Sequence, residues 1–306
     1  MHTVTPNGQN PHFTATKTEP FVSRTQGDLL MLAAAFVWGL AFYFQKTAMF
    51  HIGPLLFVGL RGLIAALALI PFAYFERPLA ATANAQLLRL AFLAGIVFFA
   101  ASTVQQVGIT TTTVTNTGLL TALYVVALPF LYWMYKRIKP SFDIWVGVVL
   151  AFLGVWALSG GTIAAFSQGD VLVAGAAVIW AALMMITSEA GPLKRPLTYT
   201  CIQFSVVGCL GLVLAFLFEP VNLSIIMDAG VDIIYVGVLS SALTFGVMAL
   251  ALQYVAPTRA IIILSSEILV SVAAGYLLLD EQLELLGWLG AVLIISAILY
   301  VRLRDA

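Results

Sequence analysis

Apolar residues fall into ten blocks of roughly twenty, separated by short polar gaps, between residues 29 and 302. A helix needs about 20 such residues to cross the hydrocarbon of a bilayer. The pattern therefore predicts membrane spans at about 29–49, 54–75, 87–107, 113–135, 142–159, 170–189, 197–218, 231–253, 258–279 and 285–302. Transmembrane β-strands would show short alternating segments instead of continuous blocks. Residues 1–26 are rich in Thr, Asn and Pro and carry no apolar run, which predicts a disordered tail. The tail is not read as a signal peptide, because the first apolar block is full length and no cleavage site of small residues precedes it.

The blocks repeat. Asp28, Trp38 and Pro54 return as Asp170, Trp180 and Pro196, each 142 positions later, with Gly27 returning as Gly169. Trp145 and Gly147 recur as Trp288 and Gly290 at a spacing of 143, so the register slips by one residue. Five spans fall in each copy, 27–160 and 161–306, with the boundary at Gly160, Gly161, Thr162 and Ser167 to Gly169. An odd number of spans per copy turns the second copy upside down in the bilayer. The predicted fold is an all-α integral membrane protein of ten helices in two inverted five-helix repeats.

Composition agrees. Hydrophobic residues make up 61% of the 306 and charged residues 9%, with a mean hydropathy of +1.03, where a soluble domain is about one quarter charged. Net charge is zero, which argues against nucleic acid as a partner. With the N-terminus cytoplasmic, the inner side holds Lys17, Arg24, Arg77, Arg89, Lys136, Arg137, Lys139, Lys194, Arg195, Arg259, Arg302 and Arg304, twelve of the fourteen basic residues. The outer loops hold only acids: Glu219, Asp228, Asp280, Glu281 and Glu284. The expected location is the inner (plasma) membrane, multi-pass, with both termini cytoplasmic. Cys201 and Cys209 lie eight residues apart in one span, about 12 Å along the axis, too far for a disulfide. No span contains His and no phosphate-binding loop is present, so neither a metal, a cofactor nor ATP is expected.

Transport needs a polar cavity near the midplane, and inverted repeats build one between their halves. The faces that could line it carry Trp38, Phe42 and Gln45 in the first span, Phe99, Ser102 and Gln106 in the third, and Thr121 with Thr117 and Tyr124 in the fourth. The second copy offers Trp180, Met184 and Thr187, then Ser241, Thr244 or Phe245, and Met248, then Ser266 or Glu267. Small and hydroxyl residues also line ordinary helix contacts, and Trp also anchors at interfaces, so packing is the competing reading for each. Gln105 and Gln106, with Gln253, could gate the cavity or cap loops. Charges inside the membrane are costly and mark functional candidates, which singles out Lys46, Arg61 and Glu267.

Trp38-Gly39, Phe42, Lys46, Pro54, Phe57 and Arg61 resemble the opening of the EamA domain, the repeat unit of the drug/metabolite transporter superfamily. Gln253-Tyr254, Thr258, Arg259, Glu267, Leu277 to Leu279, Asp280-Glu281, Trp288, Gly290 and Ile294-Ile295 resemble its closing helices. The chain departs from the family pattern at two places: Ile268 stands where Pro is frequent, and Lys136, Arg137 and Lys139 replace the acidic motif before the fifth span. The resemblance implies a secondary transporter of small organic solutes, with aromatic amino-acid exporters as the nearest functional model. Its partners would be the solute, the lipid bilayer and protons as a candidate coupling ion, with the chain a monomer or weak homo-oligomer. Alternative cargoes are amines, nucleobases, sugars and drugs.

By position in the spans, the backbones of Arg61 and Glu267 differ in depth by about 7 Å, within reach of an Arg side chain. A structural ion pair is one reading, and the usual presence of Arg at this family position favours it. The sharper reading is that Lys46 or Arg61 attracts a carboxylate while Glu267 receives an amine, as a zwitterion would require. An intramembrane enzyme would need a nucleophile and base at one depth, and a scaffold would need longer loops; the chain offers neither.

Overall fold

The computed structural model describes residues 24–137, 139, 141–158, 166–251, 263, 264 and 266–305. Among these residues the structure is helical throughout, with no strands. Seven helical stretches are long and apolar enough to cross a membrane, and three further apolar helices, Trp145–Ala157, Glu267–Leu279 and Leu285–Ala297, are shorter. Their outward faces carry large apolar side chains such as Phe36, Leu67, Phe72 and Phe152, as a lipid environment demands.

The first half comprises α1 (Arg24–Ala48), α2 (Pro54–Tyr74), α3 (Ala81–Ile109), α4 (Val114–Thr121), α5 (Tyr124–Lys136) and α6 (Phe142–Leu158). The second comprises α7 (Gln168–Ala190), α8 (Pro196–Phe218), α9 (Leu223–Asp228), α10 (Gly230–Ile234), a π-helical stretch at Tyr235–Leu243, α11 (Thr244–Ala251), α12 (Glu267–Leu279) and α13 (Leu285–Asp305). Pro54 and Pro196 open α2 and α8, where a missing N–H costs nothing. Ser167 and Asp170 form a capping box that starts α7.

Three expectations need correction. Helix α1 begins at Arg24, so Arg24 to Gln26 belong to a helix and not to the tail. The fourth span is not continuous: it breaks at Ala122 and Leu123 between α4 and α5. In the ninth span α12 starts at Glu267 from a turn at Ser266, without the Pro that the family often supplies. The two breaks match, since Leu123 has φ −59° and ψ −13° while Ser266 has φ −64° and ψ −13°. In both, the break residue's N–H reaches the carbonyl three positions back, Leu123 to Leu120 at 3.2 Å and Ser266 to Ile263 at 3.1 Å. Gln253, Tyr254, Thr258, Arg259, Gly160 to Thr162 and most of the predicted tail lie outside the described residues.

Helices α2 and α8 make the most extensive helix–helix contact among the described residues. Gly59 and Gly62 face Gly208 and Gly211 so closely that a Cβ on Gly62 would lie 2.7 Å from the Gly208 nitrogen and one on Gly59 2.6 Å from the Leu212 nitrogen. Small residues let membrane helices approach to backbone contact. The ends of the pair are joined reciprocally. Glu219, just past α8, accepts the N–H groups of Leu55 and Leu56 at the start of α2, at 2.9 and 2.8 Å. Glu76, just past α2, accepts those of Leu197 and Thr198 at the start of α8, both at 2.8 Å. Helices α2 and α8 therefore run antiparallel, and Glu76 and Glu219 hold equivalent places in the repeat. Arg195 adds an ion pair to Glu76 at 3.9 Å. Around this seam α3 packs on α7 and α8, α1 on α12 and the π-helical stretch, and α6 on α13.

Candidate functional site

Both halves contribute to one cavity, whose non-atom space of about 610 Å³ includes open solvent at its mouth. Ten predicted residues line it: Trp38, Phe42, Arg61, Thr121, Tyr124, Trp180, Met184, Phe245, Met248 and Glu267. The breaks between α4 and α5 and before α12 lie in its wall, because Thr121, Tyr124 and Glu267 flank them. Interrupted helices at membrane depth are tolerated where they line a cavity.

The aromatic wall draws on both halves. Trp38 packs on Phe245 with ring centroids 4.7 Å apart, and Trp180 packs on Phe98 at 4.9 Å, while Phe98 and Phe245 meet edge-on at 5.0 Å. Each indole N–H has an acceptor: Trp38 donates to the Ser240 carbonyl at 2.9 Å and Trp180 to Gln105 Oε1. The Ser240 carbonyl also accepts from the Thr244 hydroxyl. Ser240 lies in the π-helical stretch, whose wider turn alters the carbonyl pairing of a regular helix.

Arg61 is 3% exposed. Its Nε and Nη2 donate to Ser241 Oγ at 3.1 and 3.0 Å, and Nη1 makes longer contacts with Ser102 Oγ at 3.4 Å and Gln45 Oε1 at 3.5 Å. The guanidinium also stands 5.4 Å from the Phe98 ring centre, a cation–π contact. All these partners are neutral. The structural ion pair with Glu267 is absent: among the described residues no carboxylate lies within ion-pair distance of Arg61. Glu267, 2% exposed, accepts from the Tyr124 hydroxyl at 3.3 Å. Gly39 lets α1 pass against this point, since a Cβ there would come 2.5 Å from the Glu267 carbonyl oxygen. The Thr121 hydroxyl, buried in the cavity wall, has no hydrogen-bond partner.

Five predicted residues lie elsewhere. Lys46 Nζ donates to the carbonyls of Ile109, Thr110 and Thr112 at 2.8, 3.3 and 2.9 Å and so caps the end of α3. Cations are favoured at helix C-termini, which explains the charge. Ser102 stands behind Arg61, and Gln106 donates to the Gln45 carbonyl at 2.8 Å. Thr244 bonds its own helix, and Phe99 is partly buried against the core. Gln45 and Gln105, read from the sequence as a cavity-face residue and a gating candidate, also line it, whereas Leu183 and Ser240 were not singled out. Leu183 lies one turn from Trp180, so it was within reach of periodicity. Ser240 depends on the π-helical turn, which no pattern announced.

The sequence profile of the EamA-like transporter family matches the chain twice, at residues 25–160 and 167–303. The chain belongs to the EamA-like transporter family. It is thus a multi-pass membrane protein built from two EamA units, in keeping with the drug/metabolite transporter superfamily. It is similar to an uncharacterized transporter of Archaeoglobus fulgidus, 29% identical over 288 residues covering 92% of this chain and 88% of that one. A solved crystal structure shares the fold, with a TM-score of 0.67 at 14% identity over 92% of this chain and 98% of the other.

Proposed function

We propose that this EamA-like protein is a secondary transporter that exports small organic solutes, foremost amino acids with aromatic or apolar side chains, by alternating access through the central cavity. It does so as ten spans in two inverted five-helix units, 27–160 and 161–306, in the inner membrane with both termini cytoplasmic. The observation that carries the substrate reading is the presence of Arg61 and Glu267 in one cavity without an ion pair between them. A buried charge left unpaired is costly, and a zwitterion supplies a carboxylate for Arg61 and an ammonium for Glu267 at once. The aromatic wall of Trp38, Trp180 and Phe245 gives the side chain an apolar seat. A second reading, an exporter of organic amines, is favoured by that wall beside the Glu267 carboxylate, an arrangement that suits cations.

The test is flux in liposomes holding the purified protein, with a panel of amino acids, amines and nucleobases, measured with and without a pH gradient. Saturable amino-acid flux at least tenfold above empty liposomes, lost in Glu267→Gln while the protein stays monodisperse, is expected. Flux of amines but of no amino acid would replace the first reading with the second. Dependence on the gradient decides whether protons are coupled.

A further inference from the structure

The breaks in the fourth and ninth spans meet at the cavity, and one polar atom there is left over. A helical hydroxyl buried among apolar groups can donate to a carbonyl one turn back, as Thr117 does to Thr113 at 2.7 Å, Thr187 to Leu183 at 2.9 Å and Thr200 to Pro196 at 2.8 Å. Thr121, the last residue of α4, does not. It is 6% exposed and lines the cavity, and its hydroxyl has no hydrogen-bond partner among the described residues. Burying a hydroxyl without a partner costs stability. The scaffold does not require it either: the matched breaks at Leu123 and Ser266 set Thr121 against Leu264 in the other copy, a buried apolar residue.

The packing of α4 on α12 shows what this hydroxyl faces. A Cβ on Gly275 would lie 2.5 Å from Thr115 Oγ1, and one on Gly118 would run into Ser271. The contacts step three residues forward along α4 and four backward along α12, one turn each, so the two helices run antiparallel. The next turn brings Thr121 level with Glu267. From the far side of the break, Tyr124 donates to Glu267 Oε1 at 3.3 Å. The break is closed by bonds to the third residue back, Leu123 to Leu120 at 3.2 Å and Val125 to Ala122 at 3.1 Å. In such a turn side chains three positions apart eclipse, which sets Thr121 and Tyr124 on one side.

We infer that Thr121 Oγ1 and the Glu267 carboxylate form a two-point seat for a solute ammonium carrying at least two N–H groups, so that the site selects primary and secondary amines against tertiary and quaternary ones. This inference rests on the proposed function and holds for both of its readings, amino acid or amine. A carboxylate has about four lone-pair sites, of which Tyr124 takes one, and a hydroxyl oxygen has two. Thr121 and Glu267 do not bond each other, so the space between them suits a group that donates to both. A primary or secondary ammonium gives one N–H to Glu267 and another to Thr121. A tertiary ammonium has a single N–H, which the carboxylate takes, and a quaternary one has none. The aromatic wall attracts cations whether or not they carry N–H groups, so the hydroxyl supplies the distinction.

A double cycle over protein and solute tests this. The purified full chain and Thr121→Val, which keeps the branched shape and removes only the hydroxyl, are titrated calorimetrically with phenylalanine, phenethylamine, and the N-methyl and N,N-dimethyl forms of each. Dimethylation is expected to weaken binding about tenfold more in the native chain than in Thr121→Val, the worth of one hydrogen bond to a charged group. The bulk of the methyl groups is the same in both proteins and cancels. Thr121→Ser, which keeps a hydroxyl, should restore the native ratio, and Thr121→Ala carries the same comparison should the valine variant fold poorly by size exclusion. The N-methyl forms, with two N–H groups, should follow the parent solutes. If they follow the dimethyl forms instead, selection is by bulk and the inference fails. It fails equally if the ratio is the same with and without the hydroxyl, as a merely structural Thr121 or a water held between the two groups would give. Binding with that flat ratio leaves the substrate reading in place, whereas binding of none of these solutes overturns the substrate reading and this inference with it.

Discussion

The α2–α8 seam and the cavity wall are built from the same repeat, yet one keeps its symmetry and the other has lost it. At the seam the glutamates match: Glu76 caps α8 as Glu219 caps α2, at distances within 0.1 Å of each other. In the wall Trp38 and Trp180 still match. The polar groups beside them do not. Arg61 stands where the other half has Gln203, Tyr124 where it has Glu267, and the regular helix α3 where it has the π-helical stretch Tyr235–Leu243. Symmetry persists where the two halves hold each other, and it is lost among the polar groups of the cavity wall.

The largest expected effect lies at the seam. Gly62→Leu forces a side chain into the backbone of Gly208, and overpacking against a backbone costs more than the roughly 1–3 kcal/mol of an ordinary crowded core. We expect no monodisperse protein by size exclusion; a normal elution profile and melting temperature would mean the seam can spread. Next come Glu76→Gln and Glu219→Gln. Each weakens a charge-assisted cap by about 1–2 kcal/mol, and thermal unfolding in detergent should show nearly equal losses if the seam is truly symmetric. A marked inequality would break the comparison. The smallest expected effect is Ser241→Ala, which removes the shared acceptor of Arg61 Nε and Nη2. Stability should hold within about 1 kcal/mol, while apparent solute affinity in the flux assay weakens severalfold as the guanidinium loses its orientation. Unchanged affinity would place Arg61 outside the binding step.

Apolar block length announced nearly every helix, because crossing a membrane constrains length and composition together. The Trp38–Trp180 pair was visible as spacing, and both residues do face the cavity. The break at Ala122 and Leu123 was not visible, since both are good helix formers and the interruption follows from tertiary packing. Lys46 stands outside the cavity lining for a physical reason. A charge within a span implies a ligand only when no backbone acceptor is near, and the carbonyls at the end of α3 were hidden by 63 residues of intervening sequence. Glu76 escaped notice because its partner amides lie 121 and 122 positions away, although its spacing from Glu219 matches the repeat.

That glutamate exchange also sets an order of events during synthesis. The amides of Leu55 and Leu56 find their acceptor in a residue made 164 and 163 positions later. At about 5–20 residues per second, the first half waits roughly ten to thirty seconds in the membrane with the start of α2 uncapped. The two units are thus unable to mature one after the other, and a chain cut at the junction between them would leave each with an open helix end that only the other can close.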